Sequence, residues 1–323
     1  ERKRGKLHEF NRLLRGAADT SFMDIDGALA RLPRNVRYVI TLDADTRLPR
    51  GAAKRLIGKM AHPLNTPMFG PDGRVRAGHG ILQPRVTPSL PIGAESSLFQ
   101  WAFSGPNGLD PYAFAVSDVY QDLFEEGSFV GKGIYDVDVF EKALEQRIPE
   151  NTILSHDLLE GIFARAALVS DIEVVEEFPS RYDVEVSRQH RWVRGDWQLL
   201  LWVLNMSFLR GAPGIPALGR WKILDNMRRS LGAPALLLAI LVGMVLPHGS
   251  ALAWTIFLVL VMIAPPLLPI IGGLIPHQPG FSRRGHFRNL LRDFVLACTQ
   301  ILFTVAFLAR LAFLSLDAIL RTL

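Results

Sequence analysis

Two aspartates one residue apart, Asp43 and Asp45, follow the run Val36-Arg37-Tyr38-Val39-Ile40-Thr41-Leu42. A run rich in β-branched and aromatic residues predicts a β-strand, and side chains at i and i+2 of a strand point to the same side. Both carboxylates would then converge on one divalent cation, and hard oxygen ligands suit Mg²⁺ or Mn²⁺. Open α/β sheets hold their ligands just beyond the carboxyl ends of strands, where this pair falls. The chemistry so implied is a cation gripping the diphosphate of an activated donor. A solvated turn at the end of a strand accounts for the same tripeptide, because Asp favours turns.

Three further segments carry reactive side chains. Asn151 to Gly161 reads as a loop entering a helix, with Ser155 as N-cap and Asp157 in the first turn. An ionised carboxylate at a helix start could serve as general base toward a sugar hydroxyl, or simply compensate the helix dipole. Ser187 to Gln198 places Arg188, Arg191 and Arg194 with Trp192 and Trp197 in one predicted helix. The guanidinium fork suits phosphate oxygens, and the indole face suits a pyranose ring; an amphipathic helix at a membrane surface has the same composition. Glu126 to Asp136 predicts a short apolar strand bracketed by glycines, which permit close approach of a ligand and also make ordinary turns. Asp136 and Asp138, a second acidic pair, are better explained as the start of a helix before Val139-Phe140.

The elements that must position these groups divide the chain. Its 323 residues suffice for one large domain or two smaller ones. The part before about residue 231 is mixed and charge-rich, whereas the remainder is dominated by apolar residues. Ala233–Leu246, Ala251–Ile275 and Phe294–Ala309 are apolar runs, and about 20 residues of helix span a bilayer. Pro265, Pro266 and Pro269 predict a kinked or broken second helix. Arg220, Lys222, Arg228 and Arg229 precede the first run, and Arg283, Arg284, Arg288 and Arg292 lie between the second and third. The link Pro247-His248-Gly249-Ser250 has no formal charge with its histidine neutral. The positive-inside rule then places the N-terminal part in the cytoplasm. Trp221–Arg229 mixes apolar and basic residues as an interfacial helix would. The net charge of +5 lies largely beside the apolar runs, which favours anionic lipid; no aromatic-interleaved basic patch points to nucleic acid. A single cysteine, Cys298, excludes an internal disulfide and a cysteine-based zinc cluster, and agrees with a reducing compartment. The start, Glu1-Arg2-Lys3-Arg4-Gly5-Lys6, has no apolar core behind it and is not a secretory signal.

Taken in order, these landmarks resemble a membrane-bound inverting glycosyltransferase of the cellulose-synthase type. Such enzymes carry a D-x-D metal motif, a glycine-containing acceptor strand, an acidic base motif ending in Asp, a Q-x-x-R-W helix and then transmembrane helices. Asp43-Ala44-Asp45 matches the first and Phe129-Val130-Gly131 the second. His156-Asp157 stands where Glu-Asp is usual, and Arg188-Gln189-His190-Arg191-Trp192 stands for Q-x-x-R-W. The wording Arg-Lys-Arg-Gly-Lys-Leu at the start, Glu-Gly-Ser-Phe-Val-Gly-Lys-Gly-Ile-Tyr-Asp and Arg-Trp-Val-Arg-Gly-Asp-Trp-Gln is similar to the glycosyltransferase domain of cyclic β-1,2-glucan synthases.

The resemblance implies UDP-glucose as donor, a β-glucan acceptor extended through β-1,2 bonds, and Mg²⁺ or Mn²⁺ on Asp43 and Asp45. Asp157 would be the base, Arg191 would assist the leaving group, and Trp192 would contribute a platform for donor or acceptor. Lys6, with Asn11 beside it, matches a basic donor motif; Arg188 and Arg194 join Lys6, Asp43 and Asp45 as diphosphate ligands. Phe129, Val130, Gly131 and Trp192 would contact the acceptor. The fold implied is α/β, a truncated GT-A (Rossmann-like) domain over residues 1–219, an interfacial helix over 220–231 and an all-α transmembrane region over 232–323. It would lie in the inner membrane facing the cytoplasm. Arg188 replaces the usual Gln, so that residue's acceptor contacts do not carry over. The earlier strand and acidic residue that hold uridine in such enzymes are absent here. The expectation is therefore a piece of a longer parent chain, which binds UDP-sugar poorly alone. A lipid-linked sugar transferase and a non-catalytic membrane scaffold are the alternatives. A hydrolase using Asp45 and Asp157 as acid and base would not need the arginines.

Overall fold

The computed structural model describes residues 3–22, 32–89, 97–105, 117–245, 251–275 and 282–323. Glu1, Arg2 and the link Pro247–Ser250, to which sequence expectations attached, lie outside the described residues. In chain order the elements begin with α1 (Lys3–Leu14), β1 (Tyr38–Thr41), β2 (Thr46–Arg47), α2 (Ala52–Met60), β3 (Met68–Phe69), β4 (Val75–Ala77) and β5 (Ile81–Pro88). Next come α3 (Leu98–Phe103), α4 (Val119–Phe124), β6 (Gly133–Asp136), α5 (Val137–Leu144), α6 (Asp157–Ala164) and β7 (Ala166–Glu176). They end with α7 (Tyr182–Gln198), α8 (Leu200–Val203), α9 (Ala217–Val245), α10 (Ala251–Gly272) and α11 (Arg283–Leu320).

Five strands form one mixed sheet in the order β1-β6-β5-β7-β2. Only the β5–β7 pair is parallel. β1 and β2 are consecutive in the chain yet occupy opposite edges. Five flat strands would separate those edges by about 19 Å, and five residues reach at most about 18 Å when fully extended. The link is not extended: the Thr46 amide donates to the Asp43 carbonyl at 3.0 Å, closing a turn. The sheet must therefore curl until its edges meet at Asp43-Ala44-Asp45. This corrects the expectation that the two aspartates end a strand, so i, i+2 alternation does not orient them.

Ala52, Leu56 and Met60 recur every four residues along α2 and bury against Leu82, Ile134, Ala167 and Ile172 of the sheet. Tyr135, next along β6, faces the opposite side, as strand alternation requires. It stacks on Phe140 of α5 at 4.3 Å and donates to the Asn11 side chain of α1 at 2.9 Å. Asn11 is wholly buried and also bonds Glu141, so it is a core residue and not the donor contact expected of it. Asp136 caps α5 by accepting from the Val139 amide at 3.2 Å, as its sequence context indicates.

The chain divides into two compact units. One comprises Glu1–Ser89, Tyr112–Glu177 and Arg194–Asp225, and the other Leu90–Pro111, Phe178–Val193 and Asn226–Leu323. The two units thus interleave along the chain. Inside the second unit, Phe99 and Phe103 of α3 cluster with Phe178, Tyr182 and Phe303, and Tyr182 stacks on Phe307 at 3.9 Å. Gln300 donates to the Ala102 carbonyl and His190 pairs with Asp317, tying α3 and α7 to α11.

α9, α10 and α11 are each long and apolar enough to cross a membrane. Three details differ from expectation. The segment 220–231 is no separate interfacial helix; it is part of α9, and Lys222 and Ile223 within it are buried. α10 is not broken at Pro265, Pro266 and Pro269 but stays helical through them to Gly272. The basic residues from Arg283 to Arg292 form the first turns of α11 and not a loop. Leu56→Ala should destabilise the α/β unit by about 2–5 kcal/mol, because the side chain is fully buried. The exposed neighbour substitution Ile57→Ala should change stability by less than about 0.5 kcal/mol. Urea unfolding in detergent, followed by tryptophan fluorescence, checks the pair.

Candidate functional site

Four segments of the first unit meet around Gly131. From α1, the Lys3 ammonium donates to Asp43 Oδ1 at 2.6 Å and to the Gly131 carbonyl at 2.7 Å. From the loop leading into β6, the Lys132 ammonium lies 3.3 Å from Asp43 Oδ2 and donates to Glu176 Oε2 of β7 at 2.7 Å. Asp43 thus has one ammonium at each carboxylate oxygen. Burial alone would push its carboxyl up, but the Lys3 hydrogen bond and the Lys132 charge outweigh burial and hold it below the usual carboxylate range.

Asp157 approaches from the start of α6. Gly131 sits at φ +83°, a backbone region that side chains rarely adopt. A Cβ there would come within 2.7 Å of Asp157 Oδ1, so only glycine lets the carboxylate lie against the loop. The expected capping is not what forms: α6 begins at Asp157, with His156 and not Ser155 in the cap position. The His156 ring turns inward, donating from Nδ1 to Glu160 Oε1 at 2.8 Å and lying 3.4 Å from Asp157 Oδ1. Asp157 keeps 28 % of its side chain exposed, against 6 % for His156 and 1 % for Glu160, so it is the solvent-facing member of the three. Burial raises the Asp157 carboxyl above its ordinary range; His156 opposes the rise, and Glu160 and Asp43 add to it.

The supports are equally specific. Glu126, at the head of the loop, accepts from buried Arg74 and buried Lys222, and Lys222 also donates to the Glu126 and Gly127 carbonyls at 2.9 Å each. Val130 N donates to the Gln83 side chain at 3.0 Å. Ahead of α6, the Leu154 amide donates to Gln198 at the end of α7, and the absent side chain of Gly195 lets α7 approach Ser155.

Several residues named from sequence take other places. Phe129–Gly131 is extended loop, not strand, and the strand begins at Gly133. Phe129 is buried with its Cβ against Gly161 of α6, where it supports the helix and offers no exposed platform. Lys6 is exposed, whereas Lys3, one helical turn earlier, reaches the aspartate. Lys3, Lys132 and Glu176 were not singled out in the sequence. The signals were a lysine between two glycines and a second basic residue one turn from the one chosen.

Arg188, Arg191 and Trp192 belong to the second unit. Arg188 pairs with buried Glu185 at 3.0 Å and stacks over Trp192 at 4.5 Å, so its fork is engaged within its own helix. Arg191 is exposed, without an ion pair among the described residues, and Trp192 is 40 % exposed. Arg194, in the first unit, has a buried Nε with no hydrogen-bond partner.

The fit of a divalent cation rests on Asp45 and Asp43. Asp45 Oδ1 is buried with no hydrogen-bond partner, which is costly unless a ligand satisfies it. Asp43 would add a second oxygen donor of the hard type that Mg²⁺ and Mn²⁺ take, in exchange for its contacts with Lys3 and Lys132. His156, Asp157 and Glu160 also offer ligand-type atoms within 4.8 Å of one another. The His156 nitrogen that faces the carboxylates is already donating to Glu160, which makes this set an ion-pair cluster.

No family model matches the chain. It is 51% identical over 325 residues to the cyclic β-(1,2)-glucan synthase NdvB of Rhizobium meliloti (strain 1021), an alignment that takes in 100% of this chain and 11% of NdvB. The chain thus spans about a tenth of the length of this relative. Matched from end to end at that identity, and carrying an α/β unit followed by three apolar helices, the chain is similar throughout to this segment of the cyclic β-(1,2)-glucan synthase.

Proposed function

We propose that this chain forms the sugar-transfer site of a membrane-bound cyclic β-(1,2)-glucan synthase, moving glucose from UDP-glucose to a growing β-1,2-glucan with inversion. One observation carries the reading: Asp43, Asp157 and two lysines from four separate segments gather about Gly131. A scaffold would have no use for a solvent-facing carboxylate beside an ordered diphosphate-type subsite.

Asp157 takes the proton of the acceptor hydroxyl as that oxygen bonds to the anomeric carbon. The bond from that carbon to the diphosphate oxygen breaks on the opposite side, and UDP leaves. Burial makes Asp157 a stronger base than an exposed carboxylate, which suits the task. Lys3 and Lys132 place positive charge where the departing diphosphate gathers negative charge. Asp43 and Asp45 would hold Mg²⁺ or Mn²⁺, and the bound ion supplies further positive charge there. Arg194, with its unpartnered Nε, is the guanidinium group of the first unit left for phosphate oxygens. The basic residues flanking the apolar helices favour the inner membrane with the transfer site in the cytoplasm.

In the full-length protein, Asp157→Asn should lower sugar transfer at least about 100-fold, the range for a lost general base, while UDP binding stays nearly intact. UDP release under saturating donor reports the rate; unchanged turnover removes Asp157 as base. Asp45→Ala should weaken UDP binding in the presence of Mn²⁺ but not in its absence, as titration calorimetry reads directly. Equal affinities with and without the ion would discard the metal assignment. Gly131→Ala should cost transfer as heavily as it strains the loop, because the methyl group occupies the Asp157 position; transfer at the wild-type rate contradicts the geometry. Glucose recovered in glucan oligomers, and not in extracted lipid, separates this reading from a lipid-linked transferase.

A further inference from the structure

We propose that His156, held by Glu160, is a positioning residue for Asp157: its charged ring, set beside the carboxylate, keeps Asp157 ionised for the acceptor hydroxyl. The inference rests on the reading of Asp157 as the base. His156 stands where the resembling enzymes carry a glutamate, so this chain puts a ring able to carry positive charge beside its base.

The geometry is not that of helix capping. His156 occupies the cap position of α6 and makes no side-chain capping bond. Its ring is buried, and one nitrogen, Nδ1, faces two carboxylates of the same helix: it donates to Glu160 at 2.8 Å and acts on Asp157, 3.4 Å away, by charge alone. A pair that only stabilised the helix would do so more cheaply in water, since a desolvated ion pair adds little net stability. Glu160 Oε2 is buried and makes no hydrogen bond, so the carboxylate is not there to complete a hydrogen-bond network of the fold. Its other oxygen holds the histidine.

The charged groups that face the ring are Glu160 and Asp157 from α6 and Lys3 from α1, with Asp43 of the β1–β2 turn acting on Asp157. Burial and Lys3 favour the neutral imidazole. Glu160 and Asp157 outweigh them and lift His156 to about 9. The ring therefore carries its proton throughout the neutral range. Around Asp157 the balance is different: burial, Glu160 and Asp43 favour the neutral acid, and the His156 and Lys3 charges oppose them, His156 the more strongly. Removing the His156 charge would leave the base protonated over more of the neutral range.

The test is the pH dependence of UDP release by the full-length synthase, with UDP binding measured in parallel. His156→Gln should move the acidic limb of the rate profile upward by about one to three pH units, as loss of an opposite charge at this distance requires. KM for UDP-glucose should change little, and His156→Lys, which keeps a positive charge, should hold the limb near its wild-type position. A simple structural role lowers the rate in both variants and leaves the limb in place. An unmoved limb in His156→Gln overturns the proposal, and so does loss of UDP binding in both variants, which would make the residue structural. Transfer that survives Asp157→Asn overturns instead the assignment of the base.

Discussion

The curled sheet depends on one short connection. Because β1 and β2 pair on opposite edges, the residues between them must bridge the seam where the sheet closes, and those residues include Asp43 and Asp45. Closure brings together chain segments with no reason to meet otherwise. Lys132 precedes the strand paired with β1 and Glu176 ends the strand paired with β2; the two form an ion pair, and the same ammonium lies 3.3 Å from Asp43. The contacts of Asp43 therefore depend on the closure of the sheet.

How much of this was legible beforehand follows from the range of the interactions. The first strand, the cap at Asp136 and the three apolar helices follow from local composition and were read directly. The importance of Asp43 and Asp157 could be inferred from residue type and spacing. The turn geometry at Asp43-Ala44-Asp45 could not, because it is imposed by pairing with Glu176, more than a hundred residues away. Lys3 was missed in favour of Lys6 because both lie on α1 and only its rotation against the sheet distinguishes them. The assignment of Arg188 and Trp192 to the unit containing the apolar helices rests on contacts among Phe99, Phe178, Tyr182 and Phe303. Aromatic residues at such separations leave no periodic trace.

Charge is concentrated where the fold could have used apolar packing. Lys132 with Glu176, Arg74 and Lys222 with Glu126, and His156 with Glu160 are all nearly inaccessible pairs. Desolvation makes such pairs weak contributors to stability, and breaking any one of them strands a charge in a poor dielectric. The unit accepts that cost at three points, and each adjoins a segment that carries a site residue. The neutral core of α2 against the sheet, remote from any reactive group, shows the ordinary alternative.

Lys222 has one further implication. Its ammonium is 2 % exposed and gives hydrogen bonds to three oxygens of Glu126 and Gly127, so the first turns of α9 and the loop bearing Gly131 share a linkage with no water to replace it. Separating them would expose an unpaired cation to protein interior, a barrier that thermal motion crosses seldom. The two segments are consequently held as a single piece, and any displacement of the loop about Gly131 carries the start of α9 with it.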